Sequence, residues 1–285
     1  MTTKDAYLLG RDHLKAAGVH EPAIEAEMLL RFVLGIDRAQ LYTHWDGTIA
    51  AAAWEQYRAR LDERAGGRPV HYIVGEREFM GLLFAIDERV LIPRPDTELL
   101  VEHVVAWVRD HGGSRLVDVG TGSGCIAVSL AHVLPHVTVY AADLSPDALD
   151  VARANAARHG VIERIHFVQG DLMRSLPPDL AGRIDAVASN PPYVPRDQAF
   201  LLSREITAFE PEQAIFVPGD GTEMHRRLIE MAPRWLRPGG LLAMEVGAGQ
   251  APTVGDAVED AGGFDHVALL PDPVGIERVV SATLR

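Results

Sequence analysis

Leu116-Val-Asp-Val-Gly-Thr-Gly-Ser-Gly-Cys-Ile-Ala127 is the stretch that decides the fold. Four residues of strand character run into three alternating glycines, and an apolar helical pattern begins at Cys125. Glycine lets the chain reverse sharply and lets its backbone approach a ligand, while the first turn of the next helix offers unpaired N–H groups. Three glycines in five residues (Gly120, Gly122, Gly124) exceed what a purely structural turn needs and point to a nucleotide-like ligand. The spacing is not the dinucleotide fingerprint G-x-G-x-x-G, because Cys125 stands where the third glycine would fall. That departure weighs against an NAD-dependent oxidoreductase.

On both sides of this turn, helical and strand patterns alternate. Helices are predicted over 97–110, 125–133, 146–159, 222–236 and 251–261, and strands over 116–119, 138–142, 165–169, 184–189, 241–246, 266–270 and 278–282. Such alternation predicts an α/β fold, a mostly parallel seven-stranded Rossmann-like sheet with helices on both faces. Upstream, apolar residues at three-to-four spacing predict helices over 7–17, 22–34 and 50–65, closed by Gly66-Gly67 and Pro69. Between them, Phe79, Leu83, Phe84 and Ile86 precede a predicted turn at Asp87-Glu88 and then Val90-Leu91-Ile92, which reads as a β-hairpin. The expected organisation is a helical domain over 1–75, a hairpin linker over 76–93 and an α/β domain over 94–285.

Composition narrows the function. The chain has 285 residues, and 27 Lys and Arg stand against 40 Asp and Glu, a net charge of −13 that offers no basic field for a phosphate backbone. Nucleic acid is therefore not expected as a direct partner. Cys125 is the single cysteine, and the 12 histidines show no H-E-x-x-H spacing, so neither a disulfide nor a metal site is expected. No apolar run approaches the roughly 20 residues that span a bilayer, and the N-terminus lacks a signal-peptide core. A cytoplasmic, membrane-free monomer is the expectation.

Two carboxylates follow the glycine turn. Asp143 ends the second predicted strand, 23 residues after Gly120, where a carboxylate can accept both hydroxyls of a ribose. Capping of the next helix is its other reading, although Ser145 already suits that task. Asp171 follows the strand over 165–169, beside the position of an adenine in such sheets; a loop cap is the alternative.

The most specific string is Ser189-Asn190-Pro191-Pro192-Tyr193, directly after an apolar strand. Successive prolines fix the backbone and remove two donors, leaving carbonyls free to accept. Asn190 Oδ1 and the Pro191 carbonyl can together accept both hydrogens of one planar NH₂ group, and the Tyr193 ring can stack on the plane that bears it. Such a pocket suits a conjugated amine or amide, whose lone pair is delocalised. A rigid strand-ending turn capped by Asn190 is the plainer reading of the tetrapeptide alone.

In this order the strings resemble class I S-adenosylmethionine-dependent methyltransferases of the Asn-Pro-Pro-Tyr type. More narrowly they resemble the release factor glutamine methyltransferases (PrmC/HemK family). Asn-Pro-Pro-Tyr alone is shared with adenine N6 methyltransferases acting on nucleic acid. The narrower resemblance rests on Arg68-Pro-Val-His-Tyr-Ile-Val-Gly-Glu-Arg-Glu-Phe79, Leu91-Ile-Pro-Arg-Pro-Asp-Thr-Glu98, Phe209-Glu-Pro211, Leu236-Arg-Pro-Gly-Gly240 and Glu245-Val-Gly-Ala-Gly-Gln250. It implies methyl transfer to the glutamine amide of the Gly-Gly-Gln motif in peptide chain release factors, with the helical domain docking the partner. It further implies that Gly120, Thr121, Gly122, Ser123, Gly124, Asp143, Asp171, Leu172 and Asn190 hold S-adenosylmethionine. Asn190, Pro191, Pro192 and Tyr193 would hold the glutamine, with Asn190, Pro191 and Tyr193 catalytic. Leu172 departs from some relatives, which carry Trp there, so aliphatic contact would replace stacking on the adenine. Arg94 and Glu245 border this region but are as readily explained by ion pairing, and 194–221 reads as a lid over the substrate or a packed loop.

Overall fold

Apolar side chains three and four apart set the N-terminal helices in the computed structural model, which describes all 285 residues. There are five: α1 (Thr3–Ala16), α2 (Pro22–Leu34), α3 (Arg38–Thr43), α4 (Ala51–Ala65) and α5 (Val70–Val74). Reciprocal capping boxes start α1 (Thr2 with Asp5) and α3 (Asp37 with Gln40), and left-handed Gly35 ends α2. Helices α3 and α5 escaped the sequence reading because one or two turns carry too few apolar positions to show a period. Ala6, Leu14, Leu29, Leu30, Leu41 and Tyr57 form the core here, and the Tyr57 hydroxyl donates to the Ala26 carbonyl at 3.0 Å. One compact unit comprises Met1–Glu76 together with a distant piece of chain, Ser203–Phe209. Within it the buried Arg64 guanidinium donates to both Glu25 and Glu205, the pairing that a charge removed from water requires.

The hairpin differs from its expected form. Strands β1 (Glu76–Phe79) and β2 (Leu82–Ala85) pair across Met80-Gly81, and Val90-Leu91-Ile92 carries no strand. A two-residue hairpin loop follows the twist of its strands best with positive φ at both positions, and Met80 (+52°) and Gly81 (+72°) provide it. The chain does turn at Asp87-Glu88 as expected: the Val90 N–H donates to the Asp87 carbonyl at 3.1 Å, and the Asp87 carboxylate accepts from the backbone and side chain of Arg89, but no second strand follows.

The second unit, Arg77–Leu202 with Glu210–Arg285, is the α/β part. After α6 (Asp96–His111) come β3 (Arg115–Val119), α7 (Cys125–Val133), β4 (Thr138–Asp143), α8 (Pro146–Arg158), β5 (Ile165–Gln169) and β6 (Ile184–Ser189). Then follow β7 (Val194–Pro195), α9 (Arg204–Phe209), α10 (Glu212–Ile215), β8 (Phe216–Val217), α11 (Glu223–Trp235), β9 (Leu236–Glu245), α12 (Ala251–Asp260), β10 (Phe264–Pro271) and β11 (Glu277–Leu284), of which α9 belongs to the first unit. Seven strands form one sheet in the order β10-β11-β9-β6-β3-β4-β5, with β7 and β8 a separate pair. From β9 to β5 the strands are parallel, while β11 runs antiparallel to both β9 and β10. Strand β9 starts five residues before the expected 241, because Arg237-Pro-Gly-Gly240 is accommodated as an irregularity opposite Ile184 and Ala186. Val117 and Val119 pack toward α11 and α12, and α6 to α8 cover the sheet's other face.

The chain steps outward from β3 through β4 to β5, then crosses back to β6 on the opposite side of β3. Such a reversal opens a crevice at the carboxyl ends of the central strands. Behind it, buried Asn155 on α8 ties the hairpin to the glycine turn. Its Nδ2 donates to the Ala85 and Ser123 carbonyls, each at 2.9 Å, and its Oδ1 accepts from the Ala85 N–H at 2.8 Å. Asn155→Ala orphans all three backbone groups and should destabilise the fold by about 2–3 kcal/mol. A lower urea midpoint at unchanged m-value is the expected result; an unmoved midpoint refutes this tie.

Candidate active site at the strand ends

Where β3 meets α7, all three glycines adopt left-handed conformations, with φ of +75°, +54° and +80° at Gly120, Gly122 and Gly124. A side chain at any of them would be strained, which accounts for their number. Two carboxylates hold the turn. Asp118, fully buried on β3, accepts from the Thr121 hydroxyl (2.6 Å) and the Ala127 N–H (3.1 Å). Burial pushes its pKa up to about 7 against those two bonds. Asp143, at the end of β4, accepts from the Gly122 N–H through Oδ2 and from the Ser145 N–H through Oδ1, both at 2.9 Å. Burial raises its pKa too, opposed by the N–H groups of Ser145, Gly122 and Leu144. Ser145 itself caps α8, accepting from Ala148.

One cavity of about 150 Å³ lies along these strand ends. It is lined by Gly120, Gly122, Asp143, Asp171, Leu172, Asn190, Pro191 and Pro192, so eight of the twelve predicted site residues meet there. The other four do not line it. Thr121 turns its hydroxyl to Asp118, the Ser123 carbonyl serves Asn155, and Gly124 begins α7 against Ala152. The half-buried Tyr193 side chain directs its hydroxyl to Glu245 Oε1 at 3.5 Å, as a buried phenol seeks a polar partner. Its backbone carbonyl accepts from Gln250 Nε2 at 2.9 Å.

Asp171 keeps one oxygen occupied, Oδ2 pairing with Arg227 at 2.5 Å and Arg174 at 3.0 Å. Leu172 beside it holds a left-handed backbone (φ +53°) and presents to the cavity. Asn190 Nδ2 donates to the Thr97 hydroxyl at 3.0 Å. Arg94 proves to be an ion-pair residue, bound to buried Glu210 at 2.6 Å, and Glu210 also accepts from the Ile92 N–H. Glu245 has no such ordinary pairing. Almost wholly buried at the end of β9, its carboxyl is pushed up to about 7 by burial, with the Thr97 and Tyr193 hydroxyls and Arg278 pulling down and Asp96 pushing up. Cys125 behind the turn has its thiol pushed up to about 12 by burial, as a packing residue would.

Sequence reasoning missed several residues at this site. Thr97 and Leu91 lay within a quoted string but gave no signal of their own, and Arg89, Val90, Gln213 and Met224 line the cavity from outside the quoted strings. The region 194–221 contains the β7 and β8 pair, joined at Val194–Phe216 and Pro195–Val217, and its Pro211, Gln213 and Ala214 form part of the cavity wall.

The geometry suits S-adenosylmethionine. At Gly120 and Gly122 a Cβ would meet no atom nearer than 3.9 Å, so open space faces the backbone there, and Asp143 lines the same cavity. Comparisons agree. A family model for a methyltransferase small domain matches residues 95–208, and one for the PrmC N-terminal domain matches 5–75. A Pyrococcus furiosus methyltransferase shares the fold at a TM-score of 0.52 and 17% identity, over 79% of this chain and 96% of that one. The N-terminal domain of human METTL16, solved with SAH, does so at 0.54 and 19%, over 79% and 84%. Fold and site thus define a class I S-adenosylmethionine-dependent methyltransferase.

Among curated proteins, the release factor glutamine methyltransferase of Chlorobaculum tepidum is 43% identical over 92% of this chain and 90% of its own. That of Moorella thermoacetica is 39% identical over 100% and 99%. The chain belongs to the release factor glutamine methyltransferase family.

Glu245 gives this site a pH signature. Its folded pKa of about 7 exceeds the ordinary 4.5, so its contribution to stability is complete below pH 4.5 and lost as pH rises through 7. Glu245→Gln removes that titration, and the variant should gain stability relative to the parent between pH 4.5 and 8. Paired urea titrations at the two pH values measure the gap; a constant gap contradicts the assignment.

Proposed function

We propose that this enzyme methylates the side-chain amide nitrogen (N5) of the glutamine in the Gly-Gly-Gln motif of peptide chain release factors, and so supports translation termination. The observation that carries this reading is the acceptor pair at the cavity wall. Asn190 Nδ2 is engaged by Thr97, which leaves Oδ1 and the Pro191 carbonyl for the two hydrogens of a flat NH₂ group. The full-length likeness to enzymes bearing that activity in their names supports the choice of a glutamine over an adenine amine.

In this reading, Gly120 to Gly124 cradle the methionine part of S-adenosylmethionine, Asp143 accepts from the ribose hydroxyls, and Leu172 with Asp171 flanks the adenine. When bound, the cofactor supplies a methyl group already activated by its sulfonium sulfur. Asn190 and Pro191 hold the glutamine nitrogen in line with that methyl carbon, and near-attack alignment of this kind can supply about 7–11 kcal/mol. As the nitrogen lone pair leaves conjugation, its hydrogens gain positive charge, and the two acceptor oxygens stabilise that charge more strongly than they do the ground state. Pro192 stiffens the wall, and Tyr193, anchored on Glu245, fixes the loop from behind. The helical unit is assigned to docking the partner, because a glutamine on a loop must be presented by a wider protein surface.

Roles divide between variants. Asp143→Ala should weaken cofactor binding about 10–100-fold, the worth of charge-assisted hydrogen bonds. Asn190→Ala should lower kcat about 100–1,000-fold with cofactor affinity nearly unchanged. Calorimetry beside single-turnover kinetics tests this, and equal loss of cofactor affinity in both variants refutes the division.

Incubation with methyl-labelled S-adenosylmethionine tests the substrate. Label should enter purified release factor, and should enter neither its Gly-Gly-Gln Gln→Ala variant nor duplex DNA or ribosomal RNA. Label on nucleic acid would establish the adenine reading instead.

A further inference from the structure

Adenine and hypoxanthine have the same outline and differ at one exocyclic group, an amine that donates in the first and an oxygen that accepts in the second. A carboxylate facing that group binds the amine and opposes the oxygen, because it offers only acceptors. We infer that Arg227, on α11, is a specificity-determining residue for the cofactor: it positions the Asp171 carboxylate so that its free oxygen accepts the adenine amine. This inference rests on the reading above that places adenine beside Asp171.

The carboxylate is shared between two elements. Asp171 lines the cavity from the loop after β5, and its Oδ2 accepts from Arg227 Nη2 at 2.5 Å and pairs with Arg174 Nη1 at 3.0 Å. No protein group donates to Oδ1, so that oxygen is left for a donor on a ligand in the cavity. Both oxygens of a carboxylate accept, so turning the group over changes nothing: whichever one the arginines hold, the other remains an acceptor. The two arginines are not equivalent. Arg174 lies three residues along the same loop and its side chain is 66% exposed, a solvated local pair of the kind that contributes little. Arg227 comes from a different element and is 27% exposed. It is also held itself, since its Nη1 reaches Met224 Sδ at 3.6 Å one turn earlier, and Met224 lines the same cavity. Leu228 and Ile229, the next residues of α11, belong to the same buried core as Met173, two residues after Asp171. Helix and loop are thus joined by packing as well as by charge, and Arg227 fixes the carboxylate from outside its own loop, which Arg174 cannot do.

Calorimetric binding of S-adenosylhomocysteine and of S-inosylhomocysteine, which carries hypoxanthine in place of adenine, measures the discrimination without turnover. The parent should prefer the adenosyl compound about 10–100-fold, the worth of a hydrogen bond to a charged group. Arg227→Met keeps the side-chain stem and removes the guanidinium, and its preference should fall to about threefold or less, as for a hydrogen bond no longer held in line. That fall should come from weaker S-adenosylhomocysteine binding with no loss of S-inosylhomocysteine affinity, which separates positioning from general damage to the site. Arg227→Lys, which restores a cation, should recover part of the preference, and Arg174→Met should keep it. Parental preference in Arg227→Met overturns the inference. So does an equal loss of affinity for both compounds, which would assign Arg227 to the scaffold, and so does an equal loss of preference in Arg174→Met. Asp171→Asn, whose amide can accept from an amine or donate to an oxygen, decides the underlying reading and should lose the preference. If Asp171→Asn keeps it, adenine does not lie against Asp171 and that reading fails; if Asp171→Asn loses it while Arg227→Met keeps it, the reading stands and the role of Arg227 alone falls.

Discussion

Parallel strands point the same way, and from that constraint the whole site follows. Strands β3, β4, β5 and β6 deliver Val119, Asp143, Gly170 and Ser189 to a single rim, and the cavity runs along it. Backbone groups at such a rim have left the sheet ladder and need other partners. The carboxylates meet part of that need: Asp118 takes the Ala127 N–H at the start of α7, and Asp143 takes those of Gly122 and Ser145. Both acids are drawn out of water to do so, which is why burial raises their pKa values. A turn held by two acids from adjacent strands keeps its left-handed glycines in place before any ligand arrives.

The cavity's side walls depend on a different acid. Arg89, Val90 and Leu91 come from the segment after the hairpin, and Pro211, Gln213 and Ala214 from a segment more than a hundred residues later. Glu210 joins the two, accepting from the Ile92 N–H and the Arg94 guanidinium. Removing Arg94 would leave a buried carboxylate without its countercharge, a larger penalty than the pair's own net worth. The structure therefore makes Arg94 a fastening between walls, the ion-pairing reading its sequence context allowed.

Much of this was legible in the sequence, and the exceptions have physical causes. Helix α7 and strands β5 and β6 fall on their predicted bounds, because long apolar patterns bounded by Gly, Pro or Asp leave little freedom. The hairpin was misplaced because Met80 takes a left-handed conformation that no propensity assigns to methionine, while the turn at Asp87-Glu88 is real but leads into a segment without a strand. At the site, the glycines, Asp143 and Asn190 announced themselves by local spacing. Thr97 did not, being an ordinary residue in its own segment whose bond to Asn190 exists only after α6 has packed against the sheet.

The short piece Ser203–Phe209 belongs to the N-terminal unit although its neighbours in sequence belong to the other. On a translating ribosome this imposes an order of events. Helices α1 to α5 emerge first, yet the Arg64 guanidinium lacks its Glu205 partner until roughly 130 more residues have been made, about 7–26 s at ordinary elongation rates. During that interval Arg64 has Glu25 as its carboxylate partner and lacks the second, and the β3 to β6 half of the sheet is synthesised before the unit is complete. The first domain to be made is thus among the last to be finished, and a nascent chain stalled between β6 and α9 would carry a fully synthesised glycine turn while its N-terminal unit still lacked Ser203–Phe209.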